Sequence, residues 1–329
     1  MDLAGRCSSR ASFVPGPSPS RRTCRSVALG LVLASSAVAC ARPAALTGGG
    51  ASPQQTLAGA RPESVEEAAA ASGPALTNPL ARSKQLWQRA QALRAQGRVM
   101  AVQLDVLQEA GGESARRRRE VLEDEAERWR EAEITVYQQI ADDAELAEAP
   151  ERPEALFALA HALQDVGDAE GAKGRYRQLV EEYPTAKRTP DAYLALANLA
   201  FAEGELEEAA QRCDGALVRG HGWLRKRALY LKAWSLRGLG PGSYRPAMEA
   251  LREIVRIGRG APGSLEAALD QAAELELVAM YAAHGDPDEA DAFFAKIGSA
   301  AAPLLAAVKA KSTGTGTGRR LERLERQTY

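Results

Sequence analysis

Between Glu154 and Gly298 the chain repeats itself, and a self-repeat at this spacing admits few folds. Ala160, Gly167 and Ala172 recur 37 residues later as Ala197, Gly204 and Ala209. A third copy carries Ala233 and Gly240 and, after a two-residue insertion, Ala247. A fourth carries Gly285 and Ala290, with Val278 in place of the small residue seven before the glycine. A period of about 34 to 40 residues marks a stacked array in which each unit buries its apolar face only against its neighbours. Small residues on both helices of a pair let the two backbones approach where they cross. A glycine after the first helix suits the left-handed conformation that ends it. Larger residues fill the seams: Leu156, Leu159, Leu163, Tyr176 and Leu179 in the first copy; Tyr193, Leu196 and Leu217 in the second; Leu229, Leu236, Leu251 and Ile254 in the third; Leu277, Tyr281, Phe294 and Ile297 in the fourth. Residues are 45% apolar but only 5% aromatic, a gap filled by Ala and Leu that favours packed helices over sheet. The expectation is an all-α fold, a helical-hairpin solenoid of about four repeats over 151–300.

These positions resemble the tetratricopeptide repeat, and the first copy carries nearly every signature residue. The resemblance implies a concave surface, lined by the first helix of each pair, that binds partner proteins. The second, fifth, ninth and twelfth positions of each unit face that groove. They are Glu154, Phe157, His161 and Gln164; then Asp191, Leu194, Asn198 and Phe201; then Arg227, Tyr230, Trp234 and Arg237. Asn198 stands where peptide-binding relatives often hold an asparagine against a ligand backbone. No Lys or Arg stands at the places of a carboxylate clamp, which argues against recognition of a free C-terminus. Phe201, Tyr230 and Trp234 are either apolar anchors for a partner or packing residues between repeats.

Upstream, 78–150 reads as a helical hairpin. Asn78 can cap a helix opened by Pro79. That helix is expected to break softly at Gly97 and to end at Gly111-Gly112. A charged helix follows over Glu113–Leu146, with Leu122, Ala126, Trp129, Val136, Tyr137 and Ile140 as its stripe. The basic run Arg116–Arg119 is followed by Glu120, Glu123, Asp124, Glu125 and Glu127. Pairs at i,i+4, Arg116 with Glu120 and Arg119 with Glu123, read as a solvated helix face rather than a nucleic-acid patch. The formal net charge of −1 agrees. The segment either packs on the first repeat or forms a short coiled coil with another copy through 113–146.

The N-terminus carries a different signal. Arg21, Arg22 and Arg25 precede an apolar run, Val27–Ala39, of 13 residues. A membrane-spanning helix needs roughly 20. A basic start, a short apolar middle and a small-residue exit are the parts of a secretory signal. Cys40 directly after Ala37-Val38-Ala39 resembles a bacterial lipobox, with Ala37 where Leu is usual. That resemblance implies removal of 1–39, lipidation of Cys40 and, with Ala41 rather than Asp next, an outer-membrane position facing the periplasm. The alternative is an ordinary signal cut nearby; Arg21-Arg22 also hints at a twin-arginine signal. Residues 1–39 carry a net +4, so the mature chain falls from −1 to −5. Cys7 and Cys24 leave with them, and Cys213 has no disulfide partner once Cys40 is acylated. Residues 40–77 read as a flexible tether, with a helical turn near Val65–Ala71 and a reach of roughly 33 Å.

The stretches "YRQLVEEYPTAKRTPDAYLALANLAFAEGELEEAA" and "GDPDEADAFFAKIG" resemble bacterial envelope lipoproteins with these repeats, one branch of which serves gliding motility. The layout of signal, charged helix and repeats also resembles the periplasmic Tol–Pal-associated cell-division coordinator. Both resemblances imply an envelope scaffold with protein partners of unspecified identity. An enzyme is not expected. His161, His221 and His284 stand in no metal-ligand spacing, the "GTGTGRR" run at Gly314–Arg320 follows no strand, and nothing implies a catalytic residue, cofactor or metal. Residues 301–329 read as a cap, Leu304–Ala310, and a flexible tail ending in "RRLERLERQTY".

Overall fold

A computed structural model describes residues 78–312. The expected signal segment 1–39, the expected lipidation site Cys40, the expected tether to residue 77 and the tail from Thr313 lie outside the described residues. Within them the chain forms eleven α-helices joined by short turns, an all-α array of consecutive antiparallel hairpins.

The first hairpin pairs α1 (Pro79–Ala110) with α2 (Glu113–Asp142). Asn78 caps α1 by accepting from the Leu80 N–H at 3.0 Å. The turn is Gly111-Gly112, with φ of +64° and +84°, where a Cβ would be strained. The predicted break at Gly97 is absent, and α1 runs through it unbroken. Glycine costs a helix interior about 1 kcal/mol, and Leu93 and Met100, buried on either side, hold the helix against α2. Trp129, Val136, Tyr137 and Ile140 supply the facing stripe. Trp87 packs on Tyr137 with ring centroids 5.9 Å apart. Burial pushes the Tyr137 phenol up to about 12. Arg119 pairs with Glu123 at 2.7 Å, as expected, and Arg117 pairs with Glu113 at 2.6 Å. The charged helix stops at Asp142, and a 3-10 turn, Ala144–Leu146, leads to the repeats. Ser83 bonds Glu151 across this join at 2.9 Å. One buried core runs without interruption from Ala90 and Leu93 to Ala192 and Leu196.

Three full hairpins follow: α3 (Arg152–Asp165) with α4 (Ala169–Glu182), α5 (Thr189–Glu203) with α6 (Leu206–Arg219), and α7 (Gly222–Leu239) with α8 (Tyr244–Ile257). The signature alanines sit at the crossings. Ala160, Ala172, Ala197, Ala209 and Ala247 are fully buried, and Ala233 and Ala290 nearly so. Gly167 and Gly204 adopt φ of +87° and +89°. The Asp168 N–H then reaches Leu163 O and the Glu205 N–H reaches Ala200 O, each at 2.9 Å. These bonds satisfy carbonyls that the helix end leaves open. Gly240 departs from the pattern: its φ is +101° but its ψ is −164°, because the following Pro241 excludes the helical region. The two-residue insertion is spent on a 3-10 turn, Pro241–Ser243.

The fourth repeat pairs α9 (Leu265–His284) with only a six-residue α10 (Ala290–Ala295). Here Gly285 corrects the expectation. Its φ is −78°, so it is not left-handed. Its requirement is space: a Cβ would lie 2.4 Å from the Tyr281 ring. Tyr281, Phe293 and Phe294 form a tight aromatic knot with centroids 4.8 to 5.2 Å apart. Helix α11 (Ala301–Ser312) closes the end by burying Leu304 and Val308.

Polar ties cross between hairpins. Lys226 is fully buried on α7 and meets Asp270 and Glu266 of α9, each at 2.8 Å. It also donates to Gly258 O at 2.6 Å, while Asp270 accepts from the Gly260 N–H at 2.8 Å. One ammonium thereby fixes the loop between α8 and α9. Burial acts to lower the Lys226 pKa, but the two carboxylates outweigh it and the net direction is up. Cys213 is buried among the α6 alanines, and burial pushes its thiol up, as suits a small core residue.

Replacing Ala209 with Leu should cost about 1 to 3 kcal/mol by overpacking the crossing; an unchanged thermal melt by circular dichroism would contradict the crossing geometry. Lys226→Met alone should cost about 3 to 5 kcal/mol by stranding buried carboxylate. Lys226→Met with Asp270→Leu should recover much of that loss, read in the same melts.

Candidate partner-binding face

The first helices α3, α5 and α7 carry the predicted groove positions, and the structure brings them together in contrasting zones. At the N-terminal ends of these helices charges alternate across the repeats. Glu154 of α3 pairs with Arg188 at 2.8 Å, and Arg188 lies 3.9 Å from Asp191 of α5. Asp191 in turn faces Arg227 of α7. Burial raises the Asp191 carboxyl above its ordinary value, against the pull of Arg188 and Arg227. Burial likewise lowers the Arg227 guanidinium, and Asp191 opposes that shift. The hydrogen bond from Arg188 to Glu154 raises Arg188. The guanidinium of Arg188 also sits over the Phe157 ring at 5.2 Å, and Phe157 packs on Tyr176 at 5.7 Å.

The middle of the face is partly open. Phe157, His161, Gln164, Asn198 and Phe201 are all half-buried, while Leu194 is buried. His161 bonds Asp165 one turn along at 3.0 Å. In the third repeat the face is covered. Tyr230 and Trp234 are 7% and 8% exposed and meet edge to face at 6.2 Å. Arg237 lies over the Trp234 ring at 5.0 Å and is itself paired with Glu276 of α9. The Trp234 indole N–H is buried and has no hydrogen-bond partner, a costly state for a buried donor.

Arg188 and Glu276 are not among the groove positions that the repeat pattern picks out. Arg188 precedes α5 rather than lying on it, and Glu276 belongs to the fourth repeat. A signal for Arg188 did exist, because it follows Glu154 by 34 residues, near one repeat length. His284 lies off this face, stacked on Tyr244 with centroids 4.2 Å apart. His221 precedes α7 without capping it, and its ring contacts Arg219 O at 3.1 Å. Among the described residues no group of three His, Cys, Asp or Glu is placed to hold a metal, and no helix is long and apolar enough to cross a membrane.

Paired helices of this length, with alanines at each crossing and a side-chain-lined first-helix face, define an all-α array of stacked helical hairpins. Residues 154–186, which span α3, α4 and the turn after them, match the family profile described as the tetratricopeptide repeat. The chain matches none of the curated proteins with which it was compared. A tetratricopeptide array is ordinarily a protein-interaction module rather than an enzyme.

Removing the guanidinium cover tests the third-repeat geometry. Arg237→Ala should increase acrylamide quenching of tryptophan fluorescence relative to the unaltered chain, with the melt little changed; equal quenching would mean that Arg237 does not shield Trp234.

Proposed function

We propose that this protein is a lipid-anchored scaffold of the bacterial cell envelope that captures an extended segment of a partner protein on its first-helix face. The observation that carries the binding reading is the half-open strip of Phe157, His161, Asn198 and Phe201 beside a buried Trp234 N–H that lacks an acceptor. Aromatic rings offer contact area, and the half-buried Asn198 offers hydrogen bonds to a backbone. The charge ladder from Glu154 to Arg227 sets orientation more than affinity. The anchor rests on Cys40 after its short apolar run, and the tether 40–77 gives the array working distance from an outer-membrane surface. Within the envelope, the resemblance of the repeat joins favours a motility or other trans-envelope complex. The second reading is a self-assembling periplasmic helper of Tol–Pal type, favoured by the long charged hairpin ahead of the repeats.

The test uses the full chain expressed with its own N-terminus. Partners recovered by affinity purification should be lost with Asn198→Ala and with Phe201→Ala while the melt is unchanged, and kept with Val218→Ala, which alters a side chain 80% exposed on α6. Recovery of the same partners by all three variants would retire the groove. Mass spectrometry of the N-terminus should find acylated Cys40, and Cys40→Ser should release the protein from membranes; an unmodified N-terminus elsewhere would remove the anchor.

A further inference from the structure

We propose that the α1–α2 hairpin is the docking surface for a second copy of this chain, paired antiparallel about a two-fold axis level with Val102 and Val121. The hairpin's inner side is fully used: Leu93, Met100, Ala126 and Trp129 are buried between its helices. Its outer side is apolar and uncovered. Val99, Val102, Val106 and Val121 are 41%, 59%, 60% and 66% exposed. On α1 the exposed Ala92, Ala95, Val99, Val102 and Val106 advance by alternate steps of three and four, the spacing of a helix-pairing seam. Beside this seam a groove of about 690 Å³ opens between the helices, walled by Leu107 on α1 and Leu122 on α2.

The charges identify the occupant. Pairing two copies of α1 antiparallel so that Val99 opposes Val106 of the second copy puts each flank of the seam against the same flank of the other copy. Arg98, Asp105 and Glu109 share one flank, as 100° per residue requires. Arg98 of one copy then lies between Asp105 and Glu109 of the other. The same axis turns α2 on itself, and the net charge of α2 changes sign about Val121: Arg116–Arg119 outnumber Glu113 and Glu120 before it, while Glu123, Asp124, Glu125 and Glu127 outnumber Arg128 after it. The basic block of each copy then lies level with the acidic block of the other. A parallel pairing sets like blocks together, and an isologous two-fold is the commonest closed arrangement for identical chains. A membrane surface is the poorer match, because the basic block is flanked by at least as many carboxylates.

Sedimentation equilibrium of the full chain in density-matched detergent tests this. The unaltered protein should be a reversible dimer, and Val102→Glu with Val106→Glu should be monomeric with an unchanged melt. Arg98→Glu and Glu109→Arg should each weaken the dimer several-fold, and the two together should restore it. These residues are about 16 Å apart along one helix, so restoration reports a contact between copies. A monomer at every concentration, a dimer that survives both glutamates, or a double exchange that fails to restore pairing would each overturn the proposal. Groove variants that abolish partner capture leave this measurement unaffected, so the two readings fail independently.

Discussion

The closest approach of paired backbones governs this structure. An alanine at each crossing removes the side chain that would hold two helices apart, and the aliphatic residues one turn away then meet in full van der Waals register. Ala160 and Ala172 set this distance in the first repeat, and Ala197 and Ala209 set it again in the second. Dispersion attractions along such a seam are individually small and collectively large. They depend on a distance that one extra methyl group would change. Each hairpin buries only one side on itself and needs the next hairpin for the other. Leu196 of the second repeat therefore belongs to the same core as Leu93 of the opening hairpin, and stability is shared along the array rather than stored in any single unit.

Polar ties finish what the alanines begin. Lys173 reaches from α4 to Glu203 of α5 at 2.5 Å, Arg175 reaches back to Asp142 of α2 at 2.6 Å, and Lys226 ties α7 to α9. Partly exposed pairs such as the first two add little energy, but each joins successive hairpins and so restricts how they stack. Lys226 differs because it is buried. Its value lies in holding the long α8–α9 loop in one arrangement, since an apolar side chain there would leave the Asp270 carboxylate without its countercharge and the Gly258 carbonyl without its donor.

Much of the fold was legible because its signals are local or periodic. The Asn78 cap, the Gly111-Gly112 turn and the left-handed Gly167 and Gly204 each follow from a few neighbouring residues, and the alanine crossings follow from a 37-residue recurrence. Non-local forces explain the departures. Gly97 keeps its helix because Leu93 and Met100 are pinned by α2. Gly285 is needed for the Tyr281 ring, a packing fact that no backbone rule contains. The candidate face was legible in position but not in exposure. The repeat period placed Phe157, Asn198 and Trp234 on one surface, yet Trp234, packed on Tyr230 and under an Arg237 that pairs with Glu276 of α9, is covered while Asn198 stays half open.

That contrast gives the face a direction. Its first two repeats present open side chains, and its third presents a shielded ring with an unmet donor behind a paired guanidinium. On the proposed reading, a bound segment would meet open side chains in the first two repeats and a ring already covered by Arg237 and its partner Glu276 in the third. Pairing of hairpins would extend the same logic. With the axis near Val102, the two Asn78 positions lie about 70 Å apart at 1.5 Å per residue, and two arrays project from opposite ends of one assembly. A partner that repeats its own segment is then held at two points, and weak contacts on each face suffice for durable capture.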